Sequence, residues 1–294
     1  MIFQYRSWYF DLKDIEGITS IGKEKKKDDI NKIGKFGVGF KAIFAYTNTP
    51  LIYSNQYNFS INDLVIPIEI DKKNYDYPTT MIFPFDNKNK EPQIAYQEIK
   101  KGLSSIRDNT LLFLKNINKI NYEYENNLNQ IMRDEIDNEK VSILNSATKE
   151  KTNWLRFKQF LPKSNNLFVS IAYKLEENIE LKKEQIVPID GEVSIYFPAE
   201  KETSKLRFHI HAPFSSTVAR DSIKDIEENN ILRDLISKLI VEYFKYIKEN
   251  DYLNFNFLQV LPIKEDNLAI FYEPILLDII KTFNNEPYVL VEDK

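Results

Sequence analysis

The residues best suited to chemistry form a short glycine-rich segment near the N-terminus. Gly34, Gly37 and Gly39 are spaced as G-x-x-G-x-G, and five of the chain's 7 glycines fall between residues 17 and 39. Main-chain N–H groups that glycine leaves uncovered at the start of a helix bind phosphate oxygens. The sequence therefore predicts a phosphate cradle made of Gly34, Lys35, Phe36, Gly37, Val38, Gly39, Phe40 and Lys41. The alternative is a glycine-rich turn that only allows the following helix to pack closely.

The elements that must hold this segment are predicted as a small sheet with short helices. Asp11 and Asp14 form a capping-box pattern for a helix over residues 11–20. Phe40, Ile43 and Phe44 share one helical face, from which Lys41 points away. Strand-type runs are predicted within 51–70 and 81–85, and a further helix is predicted to begin at Pro92.

The rest of the chain is predicted to form a second domain, with the junction near residue 110. Strands of a second sheet are predicted at 167–173, 193–197 and 206–211. Residues 126–166 show the weakest pattern and are expected to be loops or insertions. Helical spacing predicts one long helix from Asn230 and another over 266–283, kinked at Pro274. The expected fold class is α+β.

Composition narrows the function classes. The formal charge is −4, so no overall positive field attracts nucleic acid or anionic lipid. No apolar run approaches the ~20 residues of a membrane span, and we expect no contact with a membrane. The chain contains no cysteine and so cannot form disulfides, and we expect a cytoplasmic protein because the cytoplasm is a reducing compartment.

Three polar residues alternate along one predicted strand and could imitate a metal site. Arg207, His209 and His211 share one face of that strand. Two histidines without a nearby carboxylate or cysteine are a poor zinc site. We interpret them as sheet or interface residues and predict no metal site.

The glycine segment extends into a family resemblance. Ile33 to Tyr46, IGKFGVGFKAIFAY, resembles the end of the ATP lid in the GHKL superfamily, the Bergerat-fold ATPases that include gyrase, heat-shock chaperones, histidine kinases and mismatch-repair proteins. Within that group the segment Asp14 to Lys23 most resembles the sacsin-like branch. Glu24 and Ala42 stand where that branch usually has serine, and neither change removes a main-chain N–H.

A second block carries the resemblance further along the chain. Residues 196–203 and 209–222 are similar to a middle-domain block of sacsin-like ATP-binding proteins. In the chaperone relatives a hydrophobic-x-Arg loop reaches the γ-phosphate, and Val218-Ala219-Arg220 is similar to it. The resemblance thus makes Arg220 a phosphate-sensor candidate. An ion pair between Arg220 and Asp221 or Asp225 is the alternative.

The resemblance implies a domain plan and a ligand. Residues 1–110 would be the lid-side part of a Bergerat α/β sandwich, N-terminally truncated, and residues 111–294 a middle, transducer-like α+β domain ending in helices. The ligand would be ATP, with Mg²⁺ only if the missing N-terminal part is supplied. The family's Glu and Asn helix and its Asp-x-Gly-x-Gly loop are absent from this sequence. We therefore expect weak nucleotide binding and no efficient ATPase activity.

Two other functions stay open at this point. The missing adenine and magnesium residues would equally suit a non-catalytic scaffold or a protein-interaction remnant, with a protein client as its partner. The lysines between residues 23 and 41, with Phe36 and Phe40, could contact nucleic acid. The net charge and the acidic residues among those lysines make nucleic acid the least favoured partner.

Overall fold

A computed structural model describes residues 1–6, 8–20, 40–162, 164, 166–180, 182–217 and 221–288. The chain divides into two compact units, Met1–Ile106 and Arg107–Lys294. Each unit combines helices with one sheet, so the predicted α+β class is confirmed.

The first unit contains a five-stranded antiparallel sheet in the order β1-β5-β2-β3-β4. Its strands are β1 Ile2–Tyr5, β2 Leu51–Ser54, β3 Tyr57–Asn62, β4 Ile66–Glu69 and β5 Thr79–Ile82. Helix α1, Leu12–Thr19, and a 3-10 turn, Phe40–Ala45, pack on the sheet through side chains that include Ile15, Ile18 and Phe40. Helix α2, Pro92–Ser104, closes the unit.

Two local predictions about this unit are confirmed. The capping box is present, because the Asp11 carboxylate accepts from Asp14 N at 2.9 Å and the Asp14 carboxylate accepts from Asp11 N at 3.0 Å. Phe40, Ile43 and Phe44 all pack against the core, as their helical spacing indicated.

The second unit contains a nine-stranded sheet in the order β13-β12-β14-β10-β9-β8-β7-β6, with β11 also paired to β10. Its strands are β6 Lys119–Tyr124, β7 Asn127–Glu135, β8 Lys140–Asn145, β9 Glu150–Phe160, β10 Phe168–Asn178, β11 Lys183–Val187, β12 Glu192–Ile195, β13 Phe197–Thr203 and β14 His209–His211. Strands β12 and β14 run parallel, and the other described pairs are antiparallel.

The interpretation of residues 126–166 as loops is wrong, because β7, β8 and β9 occupy most of that range. Some buried positions of these strands hold polar side chains, namely Arg133, Ser142 and Arg156, beside buried apolar ones such as Ile131 and Leu155. Buried polar residues among the apolar ones interrupt the alternation that identifies strands in a sequence.

The two buried arginines hold the segment that begins this unit. Arg156 Nη1 donates to the Leu112 carbonyl at 2.8 Å, and Arg133 Nη1 donates to the carbonyls of Leu111 and Leu114. Glu135 pairs with both guanidinium groups. Burial by itself would raise the pKa of Glu135, but the charge and hydrogen bond of Arg156 hold that pKa below its ordinary value.

Helices cover one face of the second sheet, where most of the core side chains lie. They are α3 Glu227–Glu242, α4 Phe244–Glu249, α5 Phe255–Val260 and α6 Glu273–Asn285. The predicted single helix from Asn230 is divided at Tyr243. The predicted kink at Pro274 is wrong because Pro274 lies in the first turn of α6, where a missing N–H costs nothing. Among the helices of the described ranges, none has the length and apolar character to cross a bilayer.

Candidate functional site

Six of the eight predicted cradle residues, Gly34 to Gly39, lie outside the described residues. Phe40 and Lys41 are described and begin the 3-10 turn. The Phe40 ring lies edge-on to Phe83 and Phe44, with centroids 6.2 and 6.5 Å away. The Phe40 side chain is thus part of the core, and only its backbone can contribute to an anion site.

The Lys41 ammonium ties three elements of the first unit together. Lys41 Nζ donates to the Ile18 carbonyl at 2.7 Å and also to the Leu64 carbonyl. Ile18 belongs to the last turn of α1, where free carbonyls favour a cation. Leu64 lies in the β3–β4 turn with φ 69°. Burial lowers the pKa of Lys41. In this arrangement the charge of Lys41 is directed at main-chain carbonyls.

A carboxylate that the sequence reading did not single out fixes the far end of the 3-10 turn. Asp86 accepts from Thr47 Oγ1 at 2.9 Å and from Asn48 N at 2.7 Å. Asn87 Nδ2 donates to the Phe44 carbonyl at 2.7 Å. Burial alone would raise the pKa of Asp86, but these hydrogen bonds, with that from Thr49, keep it lowered. The chain leaving the glycine motif is therefore held at both ends of the turn.

Arg220, the phosphate-sensor candidate, also lies outside the described residues, together with Val218 and Ala219. The residues on either side form the base of a hairpin. Thr217 N donates to the Ser222 carbonyl at 3.1 Å, and Lys224 N donates to the Ser215 carbonyl at 3.0 Å. We call residues 215–217 and 222–224 the hairpin base.

Asp221, one of the two alternative partners of Arg220, is engaged by other groups. Its carboxylate forms an ion pair with Lys201 at 2.5 Å and accepts from Thr217 Oγ1 at 2.7 Å. The hydrogen bonds from Lys201 and Thr217 lower the pKa of Asp221 to about 2. Asp225, the other alternative, is exposed.

The side chains of Asn229 and Glu202 hydrogen-bond to the backbone of the hairpin base. Asn229, which is fully buried in the first turn of α3, accepts from Ser215 N and donates to the carbonyls of Ser215 and Lys224. Glu202 accepts from Ile223 N and from the buried Tyr272 hydroxyl, each at 2.9 Å. The sequence reading missed Asn229 as a functional residue. The one local feature that could have drawn attention to Asn229 is that asparagine, a poor helix former, occupies a buried position in the first turn of a helix.

The predicted histidine face is present on β14, and both rings are buried. His209 Nδ1 accepts from Glu192 N at 2.9 Å, and the His211 ring stacks on Phe113 with centroids 5.2 Å apart. Burial and the nearby charge of Arg107 lower the pKa of His209 to about 4. Burial lowers the pKa of His211 to about 3. Arg207 precedes the strand and pairs with Asp266. The described parts of the chain contain no group of three or more His, Cys, Asp or Glu side chains that could hold a metal ion.

A match to a known family lies within the first unit. Residues 2–67 match the family model described as Sacsin domain. Sacsin from Homo sapiens is 38% identical over 53 residues, which is 18% of this chain and 1% of the human protein. The chain therefore corresponds to a very small part of that relative. The family match includes α1, the glycine motif, the 3-10 turn and strands β1 to β3, so residues 2–67 are similar to a Sacsin domain.

Proposed function

We propose that this chain is a nucleotide-binding module of the GHKL type, which takes ATP as a conformational signal and turns it over slowly or not at all. The main-chain amides of the glycine motif would hold the phosphates. The observation that carries this proposal is the Sacsin-domain match over residues 2–67, because that range contains the whole G-x-x-G-x-G motif.

The anchoring around the motif supports the proposal. The motif leads into a 3-10 turn whose apolar side chains are packed on the sheet and whose end is fixed by Asp86 and Asn87. Lys41 joins that turn to the last turn of α1, which precedes the motif. A binding segment whose two flanks are already ordered loses less conformational entropy when a ligand binds.

The hairpin base supports the assignment of Arg220 as the phosphate sensor. An arginine contributes a planar, permanently charged group that matches phosphate oxygens in a bidentate fashion. Asn229 and Glu202 fix the backbone on both sides of the three-residue segment that contains Arg220. Because Lys201 and Thr217 already engage Asp221, the competing ion pair with Asp221 is less favoured.

Slow turnover follows from the chemistry of hydrolysis. Attack on a γ-phosphate needs a group that orients or deprotonates water and a metal ion that neutralises charge. The parts of this sequence that resemble the family include neither the Glu and Asn helix nor an Asp-x-Gly-x-Gly loop. Binding and a phosphate-dependent rearrangement are then the function that these residues can support.

Calorimetric titration with ATP tests the proposal directly. The wild-type chain should release or absorb saturable heat, and Gly37→Asp should lose it because a carboxylate then faces the phosphates. Gly102→Asp is the matched control, because a Cβ at exposed Gly102 meets nothing within 4 Å. Equal heats for the wild type and Gly37→Asp would reject the cradle.

A further inference from the structure

The two edges of the first unit's sheet are protected differently. At the β4 edge, Ile70 N donates to the Asn58 carbonyl at 3.1 Å, just beyond the strand. The main-chain N–H and C=O groups of successive residues in an antiparallel strand point alternately to the two sides. Those of Ile66 and Ile68 therefore bond to β3, and those of Pro67 and Glu69 point away from the sheet. Proline has no N–H to offer and glutamate adds charge, two features that prevent strand addition.

The β1 edge has neither protection. Met1 and Phe83 exchange two hydrogen bonds of 2.8 Å, so the alternation directs Phe3 and Tyr5 toward β5. The main-chain N–H and C=O groups of Ile2 and Gln4 therefore face outward, and no described strand pairs with them. All four β1 residues are exposed and none is charged or proline.

We propose that β1 pairs antiparallel with β1 of a second copy of this chain, with a two-fold axis at Gln4. In this register Gln4 faces Gln4 of the second copy and the two exchange both main-chain hydrogen bonds. Ile2 faces Arg6 of the other copy, so every outward group of β1 is used. The two sheets become one continuous sheet across the axis, which is an isologous contact.

Side-chain chemistry favours a second copy over an unrelated strand. In the two-fold register Phe3 lies opposite Tyr5 of the other copy, twice, at positions where side chains approach most closely. Aromatic cross-strand pairs stabilise sheets, and like charges opposite each other destabilise them. Self-pairing of Ile2–Tyr5 gives two aromatic pairs and brings no like charges together within the strand.

Sedimentation of the full chain over a range of concentrations tests the proposal. The wild type should show a concentration-dependent dimer. Gln4→Pro removes the outward N–H at the axis and should weaken the dimer about tenfold or more, the effect of losing a pair of hydrogen bonds. Gln4→Ala is the matched control, because it keeps that N–H while removing the side-chain contact with Thr80 at 3.2 Å.

A second pair of variants tests the same contact without introducing proline, which could prevent the first unit from folding. The chain contains no cysteine, so a single introduced cysteine is its only thiol. Gln4→Cys should form an intermolecular disulfide, because the facing Cα atoms would be about 5.5 Å apart, within disulfide range. Ile68→Cys, on β4 with the side chain 45% exposed, should not. A wild-type monomer at all concentrations, a dimer unaffected by Gln4→Pro, or equal cross-linking of both cysteines would overturn the proposal; a monomer whose β1 binds another polypeptide would also overturn it.

Discussion

The side-chain amide of Asn229 and the backbone of Ser215 form two reciprocal hydrogen bonds, each 2.8 Å long. A third bond from Asn229 reaches the Lys224 carbonyl at 2.7 Å, so one buried amide joins both sides of the hairpin base. Asn229 thereby pairs Ser215 N and the Lys224 carbonyl, and it gives a second donor to the Ser215 carbonyl, which also accepts from Lys224 N. The position of the residues beside Arg220 consequently depends on the first turn of α3.

Replacing Asn229 with alanine should destabilise the second unit by about 1–3 kcal/mol, because it removes the three hydrogen bonds of a fully buried amide and leaves Ser215 N without its partner. Urea unfolding followed by Trp154 fluorescence measures this, since Trp154 is buried in the second unit. Glu228→Ala, an exposed change on the same helical turn, is the control and should shift stability by less than about 0.5 kcal/mol. Equal midpoints for the two variants would contradict this role of Asn229.

Replacing Lys41 with methionine should loosen the first unit, because the carbonyls of Ile18 and Leu64 lose their shared donor. We expect a loss of about 1–3 kcal/mol. Hydrogen exchange should become faster in peptides covering α1 and the β3–β4 turn. Lys13→Met, an exposed change within α1, is the control. Unchanged exchange in Lys41→Met together with weaker ATP binding would assign Lys41 to the phosphates instead.

Replacing Arg220 with alanine should reduce ATP affinity and leave ADP affinity unchanged, if the guanidinium contacts the γ-phosphate. One charge-assisted bidentate contact corresponds to about tenfold or more in affinity. Calorimetric titration with each nucleotide gives the ratio of the two affinities. Lys238→Ala removes an exposed cation from α3 and should leave that ratio unchanged. A parallel loss of ATP and ADP affinity in Arg220→Ala would refute the sensor role.

Acidification should weaken the second unit before most carboxylates titrate. The pKa is about 4 for His209 and about 3 for His211 in the folded chain, against about 6.5 for a free histidine. Below pH 6.5 the unfolded chain therefore binds more protons than the folded chain, so stability falls as the pH falls. The expected loss is about 2–4 kcal/mol between pH 7 and pH 5.

Histidine NMR checks that prediction without any substitution, because the chain contains only 2 histidines. Both rings should stay neutral down to pH 5 in the folded chain. A ring that titrates near pH 6.5 would show that the site is hydrated and would remove its share of the pH dependence.

Replacing Arg133 with methionine should destabilise the second unit by about 1–3 kcal/mol, since the change removes the donor of two main-chain carbonyls and the ion pair of a buried guanidinium with the half-exposed Glu135. Lysine at this position should not restore stability, because one ammonium cannot reproduce the fork geometry of a guanidinium. Urea unfolding measures both variants, with Lys151→Met, at an exposed position of β9, as the control. Full rescue by lysine would argue for a simple charge effect.

The sequence was informative where the signals are local. Asp11 and Asp14 are three residues apart and predicted the start of α1, and Phe40, Ile43 and Phe44 predicted the face that packs on the sheet. Contacts between distant residues left no such signal. Glu202 and Tyr272 are 70 positions apart, and Asn229 meets Ser215 across 14 positions.

Polar residues at buried positions explain the largest error. Arg133 and Arg156 occupy inward positions of β7 and β9 because their guanidinium groups bind main-chain carbonyls and Glu135. A reading based on hydropathy assigns arginine to the surface. β7 and β9 were therefore harder to recognise from the sequence than strands whose buried positions are all apolar.

Pro67 sets an upper limit on assembly through the first unit's sheet. A strand ladder lengthens indefinitely only when a subunit can accept a neighbour on both sides, and here the ring of Pro67 blocks one side. In the proposed dimer both β1 edges are used and only the two β4 edges remain, so Pro67 disfavours growth of the sheet beyond two chains.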